Sequence, residues 1–325
     1  MRRFGAIVMV CILCGVRPGH AGQAGGVVVG VNVYNEGFIS RTAQDVEIAR
    51  LAQTGVKIIR TSLGANTIYF ITQAFQHGIG SVVIVYPFNG SKATLKGPWA
   101  EIPLSESHPQ GFREWFQPLL DELETAGVRL TAIELGNEID TSGYNGDLAD
   151  PGGGRVLGIS DLNNPYDPEA HVVAGGYRAY LEVMAALQVV RDHSKLNTAT
   201  PILLAGLADW GLPSPTPWDR KVGVSVPDTS QFLRQYGMDK LVDGYGVHVY
   251  ANGDPRRSIS ARISELEQKK IFAECGPGTK PCWLTEWGFG NPDQSCPLND
   301  EKRMQAIEAE RSAFKQFMGS VKSFV

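Results

Sequence analysis

The chain is poor in the residues that build metal centres. Its 325 residues include six histidines and five cysteines. The histidines stand apart, at 20, 77, 108, 171, 193 and 248, and none clusters with the cysteines at 275, 282 and 296. No zinc-type spacing results, so no metal site is expected. Cofactor fingerprints are missing too. The stretch "GGVVVG" lies before or inside the first strand-like run, whereas a dinucleotide-binding turn follows its strand. Neither a P-loop nor a GxSxG elbow occurs. No cofactor is therefore expected. Positive charge is also short: 30 Lys and Arg against 34 Asp and Glu leave a net −4. That balance provides no basic face for nucleic acid.

Long apolar runs are absent except at the start. There "MRR" precedes the 13-residue run "FGAIVMVCILCGV" and then "RPGHAGQA". This is the layout of a secretory signal peptide, and the run is short for a bilayer span. Residues 1–24 are expected to be removed, with cleavage after Ala21 or Ala24, and the protein to be exported, periplasmic or extracellular. The leader carries Arg2, Arg3 and Arg17 and no acid, so the mature balance becomes 27 − 34 = −7. No later segment suits a stable membrane anchor, and a monomer is expected. Three cysteines remain, so at least one is unpaired. Cys282 opens a strand-like run, Cys275 lies just before it in "CGPGTKPC", and Cys296 lies beyond its other end. A six-residue strand spans about 20 Å, while a disulfide needs Cα atoms within about 7 Å. Cys275–Cys282 is the feasible bond; the alternative is that all three stay reduced.

The rest alternates between β-type and amphipathic helical runs. Strands are expected over 25–34, 56–63, 81–88, 128–137, 200–210, 242–250 and 281–288. Helices are expected over 42–55, 66–78, 111–127, 175–193, 229–242, 258–270 and 300–321. The first of these has Thr42 as its cap and Gly55 as its stop. Near-continuous Val, Ile and Leu in the strands imply a parallel sheet covered on both faces. Seven βα units in one run favour a (β/α)8 TIM-type barrel, a single catalytic domain over 25–325. An eighth βα unit is not visible, so the barrel is either closed in another way or incomplete at its C-terminus. The long loops 141–174 and 208–228 follow strands and belong over the C-terminal mouth, where this fold places active sites.

Two glutamates stand at strand ends: Glu138 in "ELGNEID" and Glu286 in "WLTEWG". In a barrel both point into one mouth. Two facing carboxylates can cleave a glycosidic bond, one attacking the anomeric carbon and the other protonating the leaving oxygen and then activating water. Each motif alone is weak, since a strand-end Glu is usually a solvated tip. Together, at strands four and seven, they form a constellation.

At those ordinals the sequence resembles the clan A glycoside hydrolases, retaining (β/α)8 enzymes, and within them families five and thirty-nine. The resemblance implies Glu138 as acid/base and Glu286 as nucleophile. Arg60 in "IIRTS" matches the clan's strand-two arginine near the nucleophile, although Arg60 could instead simply pair with Glu134. His248 and Tyr250 in "GVHVY" match strand-six residues that line the site and orient the nucleophile. Asn137 would hold the sugar 2-hydroxyl. Trp287 would be either core packing or a platform under a sugar ring. Asn32, Glu36, Asn89, Asp209, Trp210 and Trp218 are weaker candidates in the loops. The expectation is a secreted β-glycoside hydrolase acting by double displacement on a polysaccharide or oligosaccharide. The alternatives are a sugar-binding barrel without catalysis and a transglycosylase using the same residues.

Overall fold

Seven runs of β-branched and aliphatic residues become seven parallel strands. The computed structural model describes residues 9–13, 28–89, 102–148, 155–208, 223–250 and 280–288, with backbone only at 9–13, 28, 29, 249, 250 and 288. The parallel strands are β2 (Val28–Asn32), β3 (Ile58–Ser62), β4 (Gly80–Val85), β5 (Ala132–Leu135), β7 (Ile202–Leu207), β9 (Gly244–Tyr250) and β10 (Cys282–Gly288). Each pairs in parallel with the next, β2–β3–β4–β5–β7–β9–β10. They form a nearly closed barrel.

The remaining gap lies between β2 and β10. A short strand, β1 (Met9–Leu13), pairs antiparallel with β2, Met9 opposite Asn32 and Leu13 opposite Val28. It also lies beside β10. Part of the apolar N-terminal run therefore occupies the place of an eighth strand.

The alternation of side chains sorts the core into two layers. Inside the barrel, Ile58, Val82, Ala132, Leu203 and Trp283 form an apolar floor, one residue from each of five strands. Gly244 makes room for the indole, since a Cβ there would lie 2.9 Å from Trp283 Nε1. Outside, the strands pack against α1 (Arg41–Thr54), α2 (Ile68–Gln76), α3 (Pro109–Thr125), α5 (Pro168–Asp192) and α6 (Val226–Gln235). Helix α3 shows why these segments are helical. Phe112, Phe116, Leu119, Leu120 and Leu123 recur at helical spacing and are all buried, while charged residues fill the other face.

Several boundaries differ from the sequence reading. Helix α1 is capped by Ser40, whose Oγ accepts from Ala43 N at 3.3 Å, and not by Thr42, which lies inside the first turn. Gly55 ends it as expected, in a left-handed conformation at φ 77°. Helix α5 begins seven residues before 175. Asp167 caps it through Ala170 N at 3.0 Å and Pro168 takes the first turn. The Gly175–Gly176 pair reads as a helix start but serves packing: a Cβ on Gly176 would fall 1.9 Å from Asp147 Oδ2. The loops after β5 and β7 are stitched together by a small parallel sheet, β6 (Val156–Leu157) with β8 (Gly223–Val224), and by a bridge from Thr141 to Gly223. A one-turn helix, α4 (Ile159–Leu162), follows β6. Cys282 is disulfide-bonded. Its partner, the expected helices 258–270 and 300–321, and Cys275 and Cys296 lie outside the described residues.

At the barrel floor one carboxylate fastens a loop. Glu124, at the end of α3, accepts hydrogen bonds from Ser194 Oγ and from the backbone N–H groups of Lys195, Leu196 and Asn197, and from Asn197 Nδ2. Burial opposes its charge, but these donors outweigh it and hold the carboxyl down to about 2. A depressed carboxyl contributes stability above its unfolded value near 4.5. That stability fades as pH falls from there toward 2. With partial solvent screening the contribution is about 1–2 kcal/mol. Glu124→Ala should therefore lower Tm by about 2–8 °C at pH 7. The gap to wild type should narrow at pH 3. Thermal melts at both pH values check this, and an equal gap at both would refute it.

Candidate active site

Strand alternation brings Arg60, Glu134 and His248 to the barrel interior above the apolar floor. Arg60 is fully buried, and its guanidinium is shared. Nε donates to Glu134 Oε2 at 2.5 Å, Nη1 to Glu286 Oε1 at 2.5 Å and Nη2 to Asn137 Oδ1 at 2.8 Å, with Asn32 Oδ1 at 3.4 Å from Nη1. Its two sequence readings, partner of Glu134 and neighbour of Glu286, therefore hold together. Glu134 is buried as well. Its Oε1 accepts from Gly206 N at 2.8 Å and from Thr285 Oγ1 at 3.0 Å. Each carboxylate oxygen of Glu134 thus has a donor, the condition for keeping a charge inside a barrel.

Three backbone irregularities aim the functional groups. After β5, Gly136 and Glu138 take positive φ, 84° and 41°. For a glutamate that is a strained conformation. Simple alternation would put Asn137 and Glu138 on opposite sides. The kink lets Asn137 reach Arg60 while Glu138 reaches His248. The β7 register shifts between Leu204 and Leu207. This frees Gly206 N for Glu134 and turns Gly206 O to accept from Glu138 N at 2.8 Å. The β10 register shifts between Leu284 and Glu286. Consecutive residues then both face inward, Thr285 to Glu134 and Glu286 to Arg60.

His248 sits between the two glutamates. Its Nδ1 is 3.0 Å from Glu138 Oε1 and 3.5 Å from Glu286 Oε2. The ligating atoms of all three lie within 4.8 Å of one another. Among the described residues this is the cluster able to approach a metal ion. A divalent ion there would face the Arg60 guanidinium across Glu286, however. Room for the imidazole comes from Gly206: a Cβ there would lie 2.0 Å from His248 Nε2. Gly246 does the same for Glu134, whose Oε1 would lie 2.7 Å from an added Cβ.

The rim is aromatic. Tyr34, after β2, donates to Glu286 Oε1 at 3.3 Å. Tyr86 and Phe88, after β4, stack with ring centroids 5.3 Å apart. Burial pushes the Tyr86 phenol up, only partly countered by Arg60. Burial, then the charge of Glu138, pushes the Tyr144 phenol up. Both phenols stay neutral beside the carboxylates.

Of the residues expected from sequence, Arg60, Asn137, Glu138, His248 and Glu286 come together. Trp287 does not join them. It is fully buried in the main core cluster, because the pleat turns it to the side opposite Glu286. Tyr250 ends β9 opposite Gly288, and its side chain lies outside the described residues, as do Asp209, Trp210 and Trp218. Asn89 is half-buried in the turn after β4. Glu36 is buried, accepts from Thr61 Oγ1 at 3.1 Å, and has its carboxyl raised chiefly by that burial. Sequence reasoning missed Tyr34, Gly206 and Thr285. Tyr34 shares the period-two face of Asn32, which was a signal; the two strand shifts leave none.

No protein-family model and no curated protein matches the sequence. Solved structures do match in shape. A fungal β-1,4-galactanase superposes with TM-score 0.51 at 13% identity, over 83% of this chain and 77% of that one. The endo-1,4-β-D-mannanase of Thermotoga petrophila RKU-1 superposes with TM-score 0.45 at 13% identity, over 90% and 85%. The β-glucuronidase 2 of Bacteroides uniformis superposes with TM-score 0.49 at 10% identity, over 86% of this chain and 27% of that one. The galactanase likeness agrees with the strand order: the chain is a (β/α)-barrel protein of the TIM type.

The tight contact at Gly206 makes a direct test of the cluster. Gly206→Ala should push His248 away from both carboxylates. Catalytic turnover of an aryl glycoside should fall about 100-fold, the scale of an ångström's misplacement. Overpacking should cost about 1–3 kcal/mol of stability. Wild-type kcat/KM in a variant that melts cooperatively would show that the imidazole position is not needed.

Proposed function

We propose that the protein is a retaining β-glycoside hydrolase acting on a polysaccharide or oligosaccharide. One observation carries this reading: Glu138 and Glu286 present carboxylate oxygens within 4.8 Å of each other across His248. Double displacement uses carboxyl groups about 5–5.5 Å apart, whereas inversion needs about 6.5–9.5 Å to admit a water. The likeness of fold to a β-1,4-galactanase is consistent with it.

In this mechanism Glu286 Oε2 attacks the anomeric carbon. Oε1 holds Arg60 and Tyr34, and Oε2 is turned toward His248. Glu138 gives its proton to the leaving oxygen, and the sugar–oxygen bond breaks. Glu138, now ionised, takes a proton from water. That water attacks the anomeric carbon and releases Glu286. Asn137, pinned by Arg60 at the same rim, is placed to meet the sugar 2-hydroxyl. A panel of β-linked galacto-, manno-, gluco- and xylo-configured polysaccharides and aryl glycosides would name the substrate. NMR of early products should show retained anomeric configuration. Glu286→Ala should abolish turnover. Glu138→Ala should spare substrates whose leaving group needs no proton and regain rate with azide. Net inversion, or near-wild-type activity in both variants, would overturn the reading.

Export through the N-terminal leader belongs to the same proposal. Removing residues 1–24 would take β1 from between β2 and β10. The N-terminus of the protein recovered outside the cytoplasm, read by mass spectrometry, should lie at residue 22 or 25. An N-terminus that still carries Met9–Leu13 would contradict it.

A further inference from the structure

The two oxygens of Glu286 are not equivalent. Arg60 Nη1 and Tyr34 Oη both converge on Oε1, at 2.5 and 3.3 Å, while Oε2 looks toward His248 Nδ1 at 3.5 Å. The loop that delivers Tyr34 is built for a fixed position. Asn35 turns the chain at φ 71°. Glu36 folds beneath it, buried, with its carboxylate on Thr61 and its carbonyl accepting from Gln44 Nε2 at 2.5 Å. Asn66 Nδ2 donates to Gly37 O at 3.2 Å. Yet the Tyr34 residue remains 46% exposed at the barrel mouth. An exposed tyrosine whose loop is anchored through buried Glu36, its hydroxyl on the Glu286 carboxylate, is placed for more than packing.

We propose that Tyr34 is a positioning residue for the second half of the reaction, donating its O–H to Glu286 Oε1 as the glycosyl–enzyme ester breaks. This rests on the retaining reading. In that step the oxygen of water bonds to the anomeric carbon and a water proton passes to Glu138. The bond from that carbon to Oε2 breaks, and its electron pair returns to the Glu286 carboxylate. Negative charge grows on Glu286 while Tyr34 Oη is in place to receive it, so the hydrogen bond strengthens in the transition state. In the first half-reaction charge leaves Glu286, and the same bond weakens. The hydroxyl therefore speeds release of the enzyme, and its loss should not slow attack. The strand-six position, Tyr250, was the sequence's candidate for orienting Glu286, and its side chain lies outside the described residues; Tyr34 reaches the same carboxylate from the end of β2, across the gap that separates β2 from β10.

Tyr34→Phe keeps the ring and removes the donor. The probe is the 2,4-dinitrophenyl β-glycoside of whichever sugar the panel identifies, since its leaving group needs no proton. Stopped-flow release of dinitrophenol should show a burst rate no lower than that of wild type. Steady-state kcat should fall about 10- to 100-fold, the range for one hydrogen bond to a charged group. KM should fall alongside it. Intact mass spectrometry during turnover should show the glycosyl-enzyme accumulating in the variant. Burst and steady-state rates that fall together would make Tyr34 a structural residue. A raised KM with unchanged kcat would make it a sugar-binding ring only. Either result overturns the inference. A 2-deoxy-2-fluoro glycoside of the same sugar separates the two levels of the proposal. Failure to label wild-type Glu286 would remove the covalent intermediate, and the role of Tyr34 with it. Labelling without a kinetic split would overturn the Tyr34 role alone.

Discussion

A guanidinium buried inside a barrel constrains everything around it. Arg60 has no access to water, so its charge must be matched within reach of its own fork. Glu134 and Glu286 supply that match, and Asn32 and Asn137 take further contacts. Four strand ends or their extensions, from β2, β3, β5 and β10, are thereby tied to one point. The pair is not a gain in stability by itself, since removing two ions from water costs about what their attraction returns. What it secures is geometry. Glu286 cannot rotate without leaving the arginine, and Glu134 cannot move without freeing it.

The regular and irregular parts of the barrel divide the work. Below Arg60 the strands run in register over an apolar floor of Ile58, Val82, Ala132, Leu203 and Trp283. Above it the backbone departs from the ideal at Gly136, Glu138, the β7 shift and the β10 shift. Each departure turns a group toward the mouth that a straight strand would turn away. Conformational strain of this kind persists only when surrounding contacts over-determine it. Here the contacts are Glu138 N on Gly206 O, Thr141 on Glu138 O, and the loops stitched by β6 and β8. The far end of the barrel holds its own latch in Glu124, well away from the chemistry.

Much of this was legible in the chain. Seven β-branched runs separated by amphipathic ones imply a parallel barrel, and seven parallel strands are found in sequence order. The glutamates at the fourth and seventh strand ends were visible because strand ends converge on one face. Arg60 stood out because an arginine within "IIRTS" has no bland place except beside an acid. Other features were out of reach. Thr42 and Ser40 are both plausible caps, and only the backbone conformation of Ser40 decides between them. Trp287 invited a sugar-stacking role through its neighbour Glu286, until the pleat placed it in the core.

The sequence by itself determined which residue types sit at which strand ends, because period-two alternation and βα order are local properties that each segment carries alone. It therefore specified the barrel, the two carboxylates and the arginine. Tertiary structure decided which of those groups touch. That Asn137 and Glu138 both reach the mouth depends on a left-handed turn stabilised from β7. That Tyr34 reaches Glu286 spans 252 residues of chain. That His248 fits between two glutamates depends on the missing side chain of Gly206 on a neighbouring strand. Contacts of that kind are set by closure of the sheet, which brings the first and seventh parallel strands to either side of one gap, and no local pattern encodes them.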